Sequence, residues 1–344
     1  MSKKKIKVAI AGLGRSGWGI HAKRISFHSD KYQIVAVFDK DPARLKEANE
    51  QFGCRTYKTY GPLLKDKEVE LVIVAMPNKL HAKCSIEALN AGKNVVCEKP
   101  MATSLKDAEK MIATAQKKKK ILSVFQNGRY AADFLKVLDV IKSGVLGRIV
   151  HIRISYHGFS RRWDWQTLKK FGGGSMNNTG PHPIDQSLVF FGKNEPEVFC
   201  LRDKALTLGD ADDHVKVILH GKKSPTVEIE ITAACPYPQN KWLVMGTQGG
   251  LSGSVTELKW KYFNPKKLPK HKVSEEPTPD RSYNKEEVTF IEKSWEAKDD
   301  KETRTNFYPD LYKTLRGKFP LQITPESVRR QMLILEKCRK MAPV

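Results

Sequence analysis

Cysteine is sparse and unpaired: six residues, at 54, 84, 97, 200, 235 and 338, with no C-x-x-C pair and no histidine at ligand spacing. That speaks against zinc and against a disulfide framework, and points to a reducing compartment. Long apolar runs are missing too, since nothing approaches the ~20 residues that a bilayer-spanning helix needs. The opening Met1-Ser2-Lys3-Lys4-Lys5 imitates the basic end of a signal peptide. The apolar run behind it is broken by Gly12 and Gly14 and reads as a first strand, so a cytoplasmic protein is expected. Acidic residues are few beside basic ones, 38 against 61, giving a net charge of +23. Such a balance attracts polyanions or a phosphate-rich cofactor. The lysines are nevertheless scattered, with local runs only at 3–5, 117–120 and 266–272. No zinc-finger, recognition-helix or RNA-binding signature accompanies them, so nucleic acid is not the expected partner.

What is present is the balance of a globular chain: 40% hydrophobic, 9% aromatic and 29% charged over 344 residues, enough for two cores. Through about residue 125, short β-rich runs at 6–11, 33–38, 71–75, 94–97 and 121–125 alternate with amphipathic segments near 18–29, 42–52, 79–91 and 104–117. Asn78 and Thr103 stand where N-caps would fall. This alternation predicts right-handed βαβ units and a doubly wound parallel sheet, a Rossmann domain over 1–125. A helix near 130–143 then precedes longer alternating runs at 148–157, 196–207, 213–220, 225–234 and 241–262, which predict a largely antiparallel sheet within an α+β domain over 126–344. Residues 264–287 read as a surface excursion, and 325–340 as a closing amphipathic helix placed to pack back on the first domain.

Gly12-x-Gly14-x-x-Gly17 follows the first strand and opens a helical pattern, and Asp39 ends the next strand 22 residues beyond Gly17. The first glycine permits the tight turn, the second lets backbone approach pyrophosphate, and the third allows close helix–strand packing. Pyrophosphate then meets the helix N-terminus. Asp39 suits the two adenosine-ribose hydroxyls and repels a 2′-phosphate, which favours NAD over NADP, although Arg15, Lys40 and Arg44 could gather round a phosphate.

Two further stretches carry chemistry. Glu98-Lys99-Pro100 follows an apolar strand at the carboxyl edge of the sheet, and Pro100 keeps Lys99 extended. A lysine there can hydrogen-bond a substrate hydroxyl and stabilise a developing alkoxide. Gly172-Gly173-Gly174 leads through Asn178 to Pro181-His182-Pro183-Ile184-Asp185. Pro183 suits the first turn of a helix, so His182 would sit at a helix N-terminus, where the dipole disfavours imidazolium and leaves a proton acceptor. Asp185 serves either as a structural cap or to orient His182. Trp163 and Trp165 suit stacking on a sugar or on nicotinamide, and core packing equally.

These motifs together resemble the glucose-fructose oxidoreductase, inositol dehydrogenase and MocA (Gfo/Idh/MocA) group of nicotinamide-dependent oxidoreductases over nearly the whole chain. The resemblance rests on the glycine fingerprint, Pro77-Asn78 with His81, Glu98-Lys99-Pro100, the triple glycine with His182 and Asp185, and the Thr324-Pro325-Glu326 helix start. It implies Lys99 and His182 as catalytic residues. Gly12, Gly14, Arg15, Ser16, Gly17, Asp39, Lys40, Pro77, Asn78, His81, Glu98 and Lys99 would line the cofactor; Asn178, Asp185, Trp163 and Trp165 would face the substrate. It also implies hydride transfer between NAD and a secondary hydroxyl or keto group of a sugar, sugar derivative or cyclitol, a homodimer or homotetramer built through an open-faced sheet, and a Lys-Pro peptide that can be cis. Many members carry aspartate where this chain has Asn178, which keeps the hydrogen bonding and loses the charge. Where relatives often show Trp-Arg ahead of the glycines, this chain has Arg162-Trp163-Asp164-Trp165. The alternative left open is a nucleotide-binding regulator of the same fold without turnover.

Overall fold

The computed structural model describes residues 4–278, 281–297 and 306–344. Met1 to Lys3 of the basic opening lie outside the described residues.

The first sheet has six parallel strands: β1 (Ile6–Ala11), β2 (Tyr32–Phe38), β3 (Arg55–Tyr57), β4 (Leu71–Val74), β5 (Asn94–Cys97) and β6 (Leu122–Val124), in the order β3-β2-β1-β4-β5-β6. The four residues of β4 are all fully buried, as expected for a strand covered on both faces. The crossovers run through α1 (Lys23–Phe27), α2 (Pro42–Phe52), α3 (Tyr60–Lys65), α4 (His81–Asn90) and α5 (Leu105–Lys118). A π-helical turn, Gly17–Ala22, leads into α1. Strand order reverses between β1 and β4, so the crevice beyond their carboxyl ends is where such a sheet binds ligands.

Two expected caps are corrected. Ser104, one residue after Thr103, caps α5 by accepting from the Asp107 amide at 3.1 Å. Asn78 lies in a short 3₁₀ turn before α4 and turns its amide across to the second domain instead.

After α6 (Ala132–Lys142), the second sheet has eight strands: β7 (Ile149–His157), β8 (Glu197–Asp203), β9 (His214–His220), β10 (Thr226–Thr232), β11 (Trp242–Gly246), β12 (Gly249–Gly253), β13 (Glu257–Tyr262) and β14 (Ile291–Glu296). Their order is β14-β13-β12-β11-β7-β10-β9-β8, antiparallel everywhere except between β7 and β10. Strict alternation sorts the faces: Val215, Val217, Leu219, Val227, Ile229 and Ile231 are buried. Lys216 on the other face lies within 2.9 Å of Glu228 and Glu230. The helical connection between β7 and β8 holds α7 (Ser175–Asn178) and α8 (Pro181–Leu188). After β14 come α9 (Phe307–Leu315) and α10 (Pro325–Met341).

Helix α10 joins the halves. Thr324 caps it, accepting from the Ser327 amide, and Val328, Met332, Ile334, Leu335 and Cys338 are fully buried. It packs on α5 and β6 of the first sheet and on α8 and β8 of the second. The described residues among 264–287 carry one 3₁₀ turn and are mostly exposed. Among the described residues, no helix is long and apolar enough to cross a membrane.

Candidate active site

The glycine loop is held by contacts that a side chain would break. Gly12 has φ +93°, and a Cβ there would stand 2.6 Å from the Ala75 carbonyl oxygen. A Cβ on Gly17 would stand 1.8 Å from the Gly12 carbonyl oxygen. Gly14 has open space before it. Asp39, at the end of β2, accepts from the Leu13 amide at 2.7 Å and from the Asp41 amide at 3.0 Å, and Arg44 approaches it at 3.6 Å. A Cβ-free cradle beside an anchored carboxylate with spare lone pairs fits a dinucleotide. Both border a cleft of about 760 Å³ that is also lined by Arg15, Lys40, Pro77, Lys99, Trp165 and Asn178.

Lys99 projects from the turn after β5, where the Lys99–Pro100 peptide is cis. Its ammonium donates to the Asn178 carbonyl at 2.6 Å, so the front half of the chain meets the back half there. Burial lowers the Lys99 pKa, Glu98 resists that shift, and Arg15 adds to it. His182, in the first turn of α8, is half-buried, and its imidazole is pushed down to about 3. Burial is the main cause and the Lys99 charge the second, so the neutral ring arises from its surroundings, where the sequence suggested the helix dipole. His182 itself lies outside the lining of the cleft, with Nδ1 close against Gly128.

Several expected roles change once partners are visible. Asp185 is buried in a two-pronged pair with Arg129, at 2.8 and 2.7 Å, and Arg129 also donates to Ser327 of α10. Both carboxylate oxygens of Asp185 are thus engaged by Arg129, and Asp185 lies outside the lining of the cleft. Asn178 has both amide atoms engaged: Oδ1 accepts from Asn78 at 3.1 Å and Nδ2 donates to the Gln166 carbonyl at 3.0 Å. Asn78 also donates to the Gly172 carbonyl at 2.9 Å, making a clip between the domains. His81 has its two ring nitrogens against the carbonyls of Pro100 and Met76, bracing the turn that carries Lys99. Ser16 donates its hydroxyl to Glu98 at 2.6 Å, and Glu98 is 4% exposed. Both also line the cleft. Trp165 borders the cleft, edge-on to Phe171. Trp163 is 78% exposed and belongs neither to the cleft nor to a core.

Sequence reasoning missed His21 and Tyr308, which touch each other beneath the glycine loop. The place of His21, one helical turn beyond Gly17, was the available signal. Arg162 and Gln166 also border the cleft and were not singled out.

A parallel sheet with this loop and this cleft defines a nucleotide-binding oxidoreductase architecture. Residues 6–126 match the oxidoreductase family with an NAD-binding Rossmann fold, and residues 134–252 match the GFO/IDH/MocA C-terminal domain. The chain belongs to the Gfo/Idh/MocA family. Among curated relatives, it is 32% identical over 190 residues to the scyllo-inositol 2-dehydrogenase (NADP(+)) IolW of Bacillus subtilis, covering 54% of this chain and 52% of that protein. It is 26% identical over 228 residues to the inositol 2-dehydrogenase of Salmonella typhimurium, covering 62% and 66%. The chain spans about half to two thirds of the length of such relatives. A solved NAD-binding protein from Listeria innocua superposes with a TM-score of 0.82 at 25% identity, covering 99% of this chain and 98% of that one. The WlbA dehydrogenase from Bordetella pertussis, solved with NADH and UDP-GlcNAcA, gives 0.79 at 21% identity, covering 98% and 96%, a likeness of fold.

Proposed function

We propose that the protein is an NAD-dependent dehydrogenase that moves a hydride between the cofactor and a secondary hydroxyl or keto group of a sugar, sugar derivative or cyclitol. The observation that carries this reading is the bond from Lys99 to the Asn178 carbonyl, four residues before His182, at a cleft bordered by the glycine loop. The relatives named as inositol dehydrogenases support the polyol class. A bound nicotinamide would accept or return the hydride.

The residues divide the remaining work. Gly12, Gly14 and Gly17 would leave room for pyrophosphate beside the start of the helix. Asp39 would accept from the ribose hydroxyls and its charge would repel a 2′-phosphate, which favours NAD over NADP, while Arg44 at 3.6 Å works against that preference. In the oxidising direction the Lys99 ammonium would hold the reacting oxygen and stabilise it as its proton leaves. The neutral His182 imidazole would take that proton, and the negative charge growing on the oxygen would offset the burial that keeps the ring uncharged. Asn178, as the interdomain clip, would hold the lysine in line through its backbone carbonyl.

The same reading makes the protein a cytoplasmic homodimer or homotetramer. Leu243 and Met245 of β11, with Phe290 just before β14, surround a hollow of about 820 Å³ on β11 to β14, an apolar surface suited to a second copy. Sedimentation at micromolar concentration should show the oligomer, and a monomer would contradict it. A panel of sugars, sugar acids and cyclitols, followed by NADH absorbance, tests the activity. Turnover on a polyol is expected, with NAD bound more tightly than NADP. Tenfold tighter binding of NADP would overturn the cofactor assignment, and no reduction across the panel would overturn the function.

A further inference from the structure

Beneath the glycine loop lies a buried chain of hydrogen bonds that the proposed chemistry does not use. The Tyr308 hydroxyl, on α9, is 2.6 Å from His21 Nδ1, and His21 Nε2 is 3.1 Å from Glu98 Oε1. Glu98 Oε1 also accepts from the Ser16 hydroxyl, and Oε2 accepts from the Lys99 amide at 3.0 Å. His21 and Tyr308 are both fully buried. His21 sits in the π-helical turn, a local widening often found at functional sites. A carboxylate only accepts, so Nε2 carries the proton shared with Glu98, and the tyrosine hydroxyl donates to Nδ1 when the ring is neutral.

We propose that Tyr308 and His21 are positioning residues: together they hold Glu98 as a buried anion, and that anion keeps the neighbouring Lys99 amine charged. Burial alone would push the Glu98 carboxyl up, yet the His21 hydrogen bond and charge, with Lys99 and Ser16, hold it well below the usual carboxylate range. Glu98 in turn is what opposes the burial of Lys99. Other charged or titratable groups around the pair are Arg15, which works against the Lys99 charge, and Cys97 on β5, whose thiol burial pushes far up. His81 on α4 and His182 on α8 also face it, and burial lowers both rings. Arg24 and Tyr32 face Tyr308 at the far end of the chain. None of these hydrogen-bonds the Glu98 side chain in place of His21. Helix α9 thus reaches from the end of the sequence to the lysine through two side chains.

The reading of Lys99 as catalytic is not needed for the test, which reads its protonation directly. The whole protein, without substrate, is labelled with trace acetic anhydride across a pH series, and acetylation of the Lys99 amine is followed by peptide mass spectrometry. In His21→Leu, Glu98 loses its donor, and the midpoint of Lys99 labelling should fall by about half a unit to one unit. Tyr308→Phe should move it the same way by less, and His21→Gln, which still offers an N–H, should restore most of it. Intact circular dichroism in Tyr308→Phe and His21→Gln guards against a fold that His21→Leu disrupts. An unchanged or raised midpoint in His21→Leu and Tyr308→Phe would overturn the proposal. Loss of polyol turnover with the midpoint unmoved would count against it too, whereas a shifted midpoint in a protein that reduces no polyol would leave it standing without the proposed function.

Discussion

His182 is neutral in the fold because its surroundings hold its pKa at about 3, far below the 6.5 of a free imidazole. The unfolded chain therefore takes up a proton at this site as pH drops through 6.5, while the folded one does not. Its contribution to stability is present above 6.5 and is lost progressively between 6.5 and 3. Urea unfolding between pH 7 and 4.5 should show this loss, at up to about 1.4 kcal/mol per pH unit, in the wild type and a shallower one in His182→Gln. Equal slopes would mean that the ring is not shielded. At this scale the sequence spoke clearly where backbone geometry dictates the residue: Gly12 and Gly17 each have a carbonyl where a Cβ would go. It named Ser16, His81, Asn178 and Asp185 but not their partners, because each is held by a group distant in sequence, 82 positions for Ser16–Glu98 and 56 for Arg129–Asp185.

Elements with an apolar stripe were legible for the same physical reason that they form. Strands β1, β2, β4, β5 and β6, and β7 to β13, follow from short apolar or alternating runs, and α10 from its capped amphipathic pattern. Elements that were not foreseen include β3, α3, β14 and α9. Strand β14 is an edge strand whose residues are exposed except for a half-buried Trp295, so no burial pattern marks it. Helix α9 buries Phe307, Tyr308, Leu311 and Tyr312, a helical spacing, but aromatic residues are modest helix formers and a lysine- and glutamate-rich stretch precedes it. The junction of α8 with the 3₁₀ turn at Asn127–Tyr130 depends on the Arg129–Asp185 pair. Asp185→Asn leaves a buried guanidinium without its counter-charge and should cost about 3 kcal/mol in urea unfolding, with cofactor affinity retained. A loss below 1 kcal/mol would show that the pair is not a structural anchor.

The molecule as a whole is two sheets brought to one cleft by contacts that include α10 lying on both domains, the Asn78–Asn178 clip, the Lys99–Asn178 bond and the Tyr308–His21 bond. The two-sheet architecture was readable from the change in period along the chain, from βαβ alternation to long strands of period two. That the Lys99 ammonium and the His182 imidazole serve one site is an expectation that no spacing supplies; the contact seen is from Lys99 to the Asn178 carbonyl. Net charge, +23, remains a statement about solubility and anion attraction.

The most direct test of the account is the rate of hydride transfer to the best polyol by Lys99→Ala, with NADH binding measured in parallel by fluorescence. The account predicts that the cofactor still binds and that turnover falls ~100-fold or more, the usual cost of losing a donor aimed at a developing alkoxide. Turnover within about tenfold of the wild type, at full cofactor occupancy, would contradict it.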